Sequence, residues 1–548
     1  VGRRSPLFKA ATGGPFAVIQ NPLLPGFNPD PSICRVGDDV YIATSTFEWY
    51  PGVQIHHSRD LVNWTLIAHP LNRASQLDMR GEGDSCGIWA PCLSYADGLF
   101  WLVYTDVKRF DGAFKDAHNY IVTAPSIEGP WSDPVYVNSS GFDPSLFHDT
   151  DGRKWFVNMQ WNHRTESVGG NPKSPAFDGI LLQEWDAKTK KLVGPIKNIY
   201  PGTDLGLVEG PHLFKRGEYY YLTTAEGGTG YNHAVTMARS KAVDGPYETH
   251  PNKHLITSRF SPDAPLQRAG HGQMVEMPDG SVYHTHLCGR PLKTSKGPRC
   301  PLGRETALQR CVWKDDGWLY LAQGGQTPAV EVEAAATRLP RGPVRRNFKG
   351  ETQLPIEFQW LRTPYPDRLF KLTGSALQLT GRESLGSWYE QSLVARRQED
   401  FNFRAETRVR FDPDTYQQAA GLTHYYNRHK LHFLAVTLDE KLGRVLTIMS
   451  CNGDYPDSRL TWPVKVPVQV PEEVGLAAEV KGEYLQVYYD IGQGWTPIGP
   501  VLDASVISDE GGRGEHGSFT GAFIGMLAFD TSGRARTADF SHFDYIPG

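Results

Sequence analysis

No apolar run in the 548-residue sequence approaches the 18 or so residues of a membrane-spanning helix, so a helical membrane protein is excluded. No CxxC pair occurs among the seven cysteines, Cys34, Cys86, Cys92, Cys288, Cys300, Cys311 and Cys451, which removes zinc-knuckle and thioredoxin-like readings. A chain of this size needs no disulfides, and reduced, mostly buried thiols are expected. There is no basic stripe. Lysine and arginine number 56 against 61 acidic residues, a net charge of −5, and nucleic acid is not indicated as a partner. The first 20 residues carry Arg3, Arg4 and Lys9 but lack the apolar stretch of a secretory leader. A cytoplasmic location is expected, and an already cleaved secreted form reads the same way.

Turn formers and rings are plentiful instead. Gly (56), Pro (40) and 11% aromatic residues point to all-β architecture and to ligands with sugar-like faces. Charged residues at 21% with 39% hydrophobic ones exclude a disordered chain, and the length allows two to four domains.

An internal repeat organises the first part. Five segments share a special residue beside Pro or Gly, a short apolar strand, a turn and an aromatic-rich strand. They run Asn28–Tyr41, Ile88–Trp101, Gly141–Trp155, Val208–Tyr220 and Gly270–Tyr283. Their aromatic markers Tyr41, Trp101, Trp155, Tyr220 and Tyr283 are 60, 54, 65 and 63 residues apart. Asp-Gly, Asp-Asp and Arg-Gly turns between strand formers read as hairpins. Five hairpin units of about 60 residues predict a five-bladed β-propeller over 20–325. Residues 1–19 read as an N-terminal extension, and 326–350, rich in Pro, Ala and Arg, as a linker. Beyond it, Phe403–Phe411 alternates small or apolar positions with charged ones, and Lys481-Gly-Glu483 sits between two strand-like runs. A β-sandwich over 351–548 is expected.

The repeats also align polar side chains. Asp30, Asp143, Glu209 and His271 fall 10 to 12 residues before their aromatic markers, with Trp89 in that place in the second repeat. Singly each is weak, since Asp-Pro is most often a turn and a histidine between glycines is often structural. In a propeller, however, matched positions converge at one end of the central channel. Three carboxylates, an imidazole and an indole in one pocket suit a sugar, and glycoside hydrolysis needs one carboxyl as acid and another as base or nucleophile. The register is good only to one residue.

The motifs Asn28-Pro-Asp-Pro-Ser32, Ala43-Thr-Ser-Thr-Phe-Glu-Trp49, Gly87-Ile-Trp-Ala-Pro91, Gly141-Phe-Asp-Pro-Ser145, Val208-Glu-Gly-Pro-His212 and Cys300-Pro-Leu-Gly-Arg-Glu-Thr-Ala307 resemble glycoside hydrolase family 43. With His286-Leu-Cys-Gly-Arg-Pro291 and Ser518-Phe-Thr-Gly-Ala-Phe523, the resemblance is to its two-domain β-xylosidase branch, from about Gln20 to the C-terminus. The resemblance implies an exo-acting, inverting enzyme. It would release D-xylose from the non-reducing end of 1,4-β-xylo-oligosaccharides, with α-L-arabinofuranosidase side activity. An arabinofuranosidase as main activity, or a non-catalytic propeller lectin, are the rival readings. By motif, Asp30 is the general base, Glu209 the general acid, and Asp143 orients Glu209 and raises its pKa. Arg304 would bind substrate hydroxyls and keep Asp30 ionised. Phe47 and Trp89 would wall the pocket, Phe519 would reach over it from the sandwich, and Trp161 and Thr229 would lie at the rim. His271 is implied as a ligand of calcium or another divalent cation, without an organic cofactor. Arg290 and the pair His284 and His286 read as structural. A homo-oligomer, dimer or tetramer, is expected from the resemblance.

Overall fold

The computed structural model describes residues 17–512 and 518–548. Most of the extension expected over 1–19 therefore lies outside the described residues, as do Arg513 and Gly514 of the glycine-rich stretch before Phe519. Among the described residues the only helical pieces are two single 3-10 turns, Pro366–Arg368 and Ala504–Val506.

The N-terminal half is a five-bladed β-propeller. Four blades are four-stranded sheets whose strands follow one another in sequence order, starting at Ser32–Val36, Gly87–Ala96, Ser145–His148 and Glu209–Arg216. The fifth, built on Gln267–Gly270 and Val282–Gly289, has five strands. The hairpin turns follow from their residues. Asp97 and Gly98, between Gly87–Ala96 and Leu99–Arg109, have φ of 55° and 74°, the paired left-handed geometry that a two-residue turn needs to match strand twist. Blades are stitched side by side near the axis. Ser32 Oγ donates to Gln273 Oε1 of the fifth blade at 2.7 Å and accepts from Leu93 N–H of the second at 2.9 Å. Ser145 Oγ donates to the Pro211 carbonyl of the fourth at 2.6 Å.

The stretch 326–350 is more than a linker. Glu331–Glu333 pairs antiparallel with Val18–Gln20, and Val344–Asn347 pairs with the C-terminal strand Thr537–Pro547. Ile19 is fully buried, so the chain from Val18 onward belongs to the fold. The C-terminal half is a sandwich of an eight-stranded and a six-stranded sheet. Its strand Asn402–Arg410 buries Phe403, Ala405, Thr407 and Val409 and leaves the alternate residues more exposed, as the sequence pattern requires. All seven cysteines are buried, with no disulfide among the described residues.

The two halves share cores. Trp49–Tyr50 of the propeller pairs with Trp360–Leu361, and the Trp49 indole stacks on Phe523 of the sandwich at 3.6 Å between ring centroids, 10° from parallel. Arg268 of the fifth blade donates to Asp509 and Glu510 at 2.7 Å each. Tyr426 Oη donates to Asp509 at 2.7 Å and accepts from Thr520 N–H at 3.0 Å. These contacts hold the chain on either side of residues 513–517 against the propeller mouth.

Candidate active site

At the propeller mouth a cavity of about 380 Å³ is lined by Asp30, Phe47, Trp89, Asp143, Trp161, Glu209, Thr229, His271, Arg304 and Phe519. Every site residue expected from the sequence is thus at one place. The repeat alignment needs one refinement. Ser32, Cys92, Ser145 and His212 are equivalent, since each pairs with the matching residue of its second strand, Ala43, Val103, Val157 and Thr223. Two residues before them stand Asp30, Ala90, Asp143 and Gly210, and His271 holds the same place before Gln273. Glu209 and Trp89 therefore sit one position earlier, beside Phe142.

Two consecutive residues face the pocket because the backbone turns there. Asp30, Asp143, Gly210 and His271 have φ of 54°, 54°, 58° and 39°. At these positions the left-handed residue interrupts strand alternation, and in the fourth blade the ladder shifts register between Glu209 and His212, while the second blade shifts between Trp89 and Cys92 without a left-handed residue there. Non-glycine residues held in this region are strained, which the surrounding packing must over-determine. At Gly210 a side chain has no room: an added Cβ would lie 2.8 Å from the His271 ring.

The carboxylates are held differently. Asp30 accepts from Ser45 Oγ at 2.6 Å and from Arg304 Nη1 at 3.0 Å, and His271 Nδ1 lies 3.5 Å away. Burial raises the Asp30 carboxyl, but Arg304, His271 and Ser45 together outweigh it and hold it below the ordinary aspartate value. Glu209 has no such partner among the described residues. Burial first, and the Asp30 charge second, push its carboxyl up to about 8, against weaker lowering by Arg304 and Lys115. Asp143 accepts the Gly210 N–H at 3.1 Å, so it grips the residue next to Glu209. Burial and the charges of Glu209 and Asp30 push Asp143 up as well. The buried pair Asp143 and Glu209 therefore retains a proton at neutral pH, while Asp30 does not.

Arg304 is 4% exposed. Besides Asp30 it donates to the Phe519 carbonyl at 3.1 Å and lies 5.3 Å from the Phe47 ring. It therefore ties the base to the sandwich loop. Phe519 itself is half-buried, with its ring 6.4, 6.1 and 5.8 Å from those of Phe47, Trp89 and Phe110. It is a wall of the cavity, not sandwich core.

Phe110, Gly112, Lys115, Phe142, Phe177 and Gly228 complete the lining and were not read from the sequence. Phe142 had a signal, its place beside Asp143 in the aligned motif. Phe110 and Lys115 lie in the connection between Leu99–Arg109 and Asp116–Ala124, which no pattern marks. Lys115 Nζ donates to the Phe110 carbonyl at 2.7 Å and lies over the Trp161 ring at 4.2 Å.

The residues around His271 do not form a protein-built calcium site. Calcium takes six to eight oxygen ligands. His271 offers one imidazole, with Nδ1 turned to Asp30 and, at 3.9 Å, to Asp143. No group of three or more His, Cys, Asp or Glu among the described residues is placed to hold an ion. His284 and His286 spend their Nδ1 atoms on the Thr285 and Leu287 carbonyls. Arg290 makes a two-pronged ion pair with buried Glu305. All three are structural.

The comparisons with known proteins agree with this geometry. The family described as Glycosyl hydrolases family 43 matches residues 19–319, and the Beta xylosidase C-terminal Concanavalin A-like domain matches 345–546. The chain is 58% identical to Xylosidase/arabinosidase 43B of Humicola insolens, over 96% of this chain and 98% of that one. It is 48% identical to a beta-xylosidase of Bacillus subtilis, over 96% and 99%. The crystal structure of xylan beta-1,4-xylosidase from Bacillus halodurans superposes with a TM-score of 0.91 at 50% identity, covering 96% of this chain and 100% of that one. The matches cover both halves of the molecule in sequence and in shape, and the chain belongs to glycoside hydrolase family 43.

Proposed function

We propose that the protein is an exo-acting β-D-xylosidase that removes xylose from the non-reducing end of 1,4-β-xylo-oligosaccharides with inversion, and that also cleaves α-L-arabinofuranosides. The observation that carries this reading is the opposite tuning of two carboxyls in one aromatic cavity, Asp30 held ionised by Arg304 and Ser45, Glu209 held protonated by burial. A base and an acid kept in their working states at neutral pH are what a single displacement needs. A lectin needs neither.

In this mechanism the terminal sugar enters against Phe47, Trp89 and Phe519, and its hydroxyls bond to Arg304. Asp30 takes a proton from a water as that water attacks the anomeric carbon. Glu209 gives its proton to the departing glycosidic oxygen. Asp143 is a positioning residue that fixes the Gly210 peptide and so the direction of Glu209. The names of the similar proteins, beta-xylosidase and xylosidase/arabinosidase, support both activities.

The test is the product series from xylotetraose. An exo enzyme gives xylose and xylotriose first, with xylobiose appearing only later. Xylobiose as a first product would contradict the exo reading. Faster cleavage of an aryl α-L-arabinofuranoside than of an aryl β-D-xyloside would make the arabinosidase activity the main one.

A further inference from the structure

Behind the aromatic wall, out of reach of any sugar, lies Ser85. It is fully buried and has a φ of 60°. A serine held there is strained unless its surroundings impose the conformation, and three partners do so. Its N–H donates to Glu48 Oε2 at 3.2 Å, and its carbonyl accepts the Trp89 indole N–H at 2.9 Å. Its hydroxyl oxygen accepts the Phe519 N–H at 3.1 Å.

Those partners belong to two different halves of the molecule. Trp89 stands on the second propeller blade and Phe519 on the sandwich loop. Their rings pack edge to face at 6.1 Å between centroids, 82° between planes, and form one continuous wall of the pocket. The neighbour Asp84 accepts from Arg362 Nη2 at 3.0 Å and from Arg428 Nε at 3.3 Å. The Asp84-Ser85 corner is therefore a point where the sandwich side is pinned to the propeller. One residue's carbonyl and hydroxyl thus hold both rings of this wall, one from each half of the molecule.

We infer that Ser85 is a positioning residue that shapes the sugar pocket by holding Phe519 of the sandwich against Trp89 of the propeller. The inference rests on the reading of this cavity as the sugar site, and on no particular sugar. A wall displaced by 1 Å can cost up to about a hundredfold in activity, so a single hydroxyl behind it is enough to matter.

Two variants test it. Ser85→Gly accommodates the left-handed backbone and both main-chain bonds and removes the whole hydroxymethyl side chain. Ser85→Ala removes the hydroxyl and keeps the backbone strain. Kinetics are read on whichever aryl glycoside the wild type cleaves faster, the β-D-xyloside or the α-L-arabinofuranoside. A wrong sugar assignment then shows in the wild type alone and leaves the comparison intact. Both variants are expected to raise KM about tenfold with kcat within about threefold, and Ser85→Gly is expected to melt no lower than wild type. In a Phe519→Ala background, Ser85→Gly is expected to change KM less than about twofold, since the hydroxyl acts through Phe519. An unchanged KM in both variants would overturn the inference. So would losses that multiply fully with Phe519→Ala.

Discussion

Asp30 and Glu209 carry the same functional group and are both buried, yet they are pushed in opposite directions. The difference lies in three neighbours. Ser45 and Arg304 bond to Asp30, His271 faces it, and no comparable group among the described residues reaches Glu209. Activity should therefore require Asp30 ionised and Glu209 protonated. kcat/KM is expected to fall on the acid side below the ordinary aspartate range and on the alkaline side near pH 8, the value to which Glu209 is raised. Arg304 lowers both groups. Replacing it with Met should move both limbs of the pH profile upward, besides lowering kcat/KM. A profile that keeps its limbs in Arg304→Met would remove Arg304 from the tuning. The residue types were legible in the sequence because the repeat placed them at matched positions. Of their tuning, the resemblance implied Arg304 on Asp30, whereas the parts of Ser45 and His271 were not legible, since they reach Asp30 from chain positions 15 and 241 residues away.

At the scale of the strand, the site depends on a left-handed residue at the entrance of four blades. It lets neighbouring side chains, such as Phe142 and Asp143, both line the cavity. A strict two-residue alternation would send one of them to the far face. Gly210→Ala tests this. The new Cβ meets the His271 ring and strains a φ of 58°, so a loss of both stability and kcat is expected. Gly217 has the same φ of 58° but open space around it. Gly217→Ala should cost about 1 kcal/mol of stability and leave kcat unchanged. Equal kinetic effects from the two would show that crowding at the Glu209 peptide is unimportant. The sequence indicated the strands but not this offset. Asp30-Pro, Asp143-Pro and Gly210-Pro align by their prolines, and that alignment already puts Glu209 one place early. Glu331–Glu333 and Val344–Asn347 were missed for a different reason. Each strand is short, and its register comes from a partner hundreds of residues away.

The whole molecule reads as two domains in sequence but has one active site and a shared interior. Trp49, Phe523, Arg268 and Asp509 join the halves through buried stacking and ion pairing. Thermal unfolding followed by calorimetry is expected to show a single transition, and Phe523→Ala should lower it as a whole, by about 3–5 kcal/mol. Two separated transitions would mean that the propeller stands without the sandwich. The sandwich's part in the pocket was legible from Phe519 only through family resemblance, because its anchor, Ser85, carries no pattern of its own. The central claim concerns the pocket as a machine: Asp30 activates water while Glu209 protonates the leaving oxygen, in one displacement. Proton NMR of the hydrolysis of an aryl β-D-xyloside, read before mutarotation, tests it most directly, because its only sugar product is the xylose cleaved at its anomeric carbon. The first xylose signal is expected from the α-anomer. β-Xylose appearing first would contradict the claim.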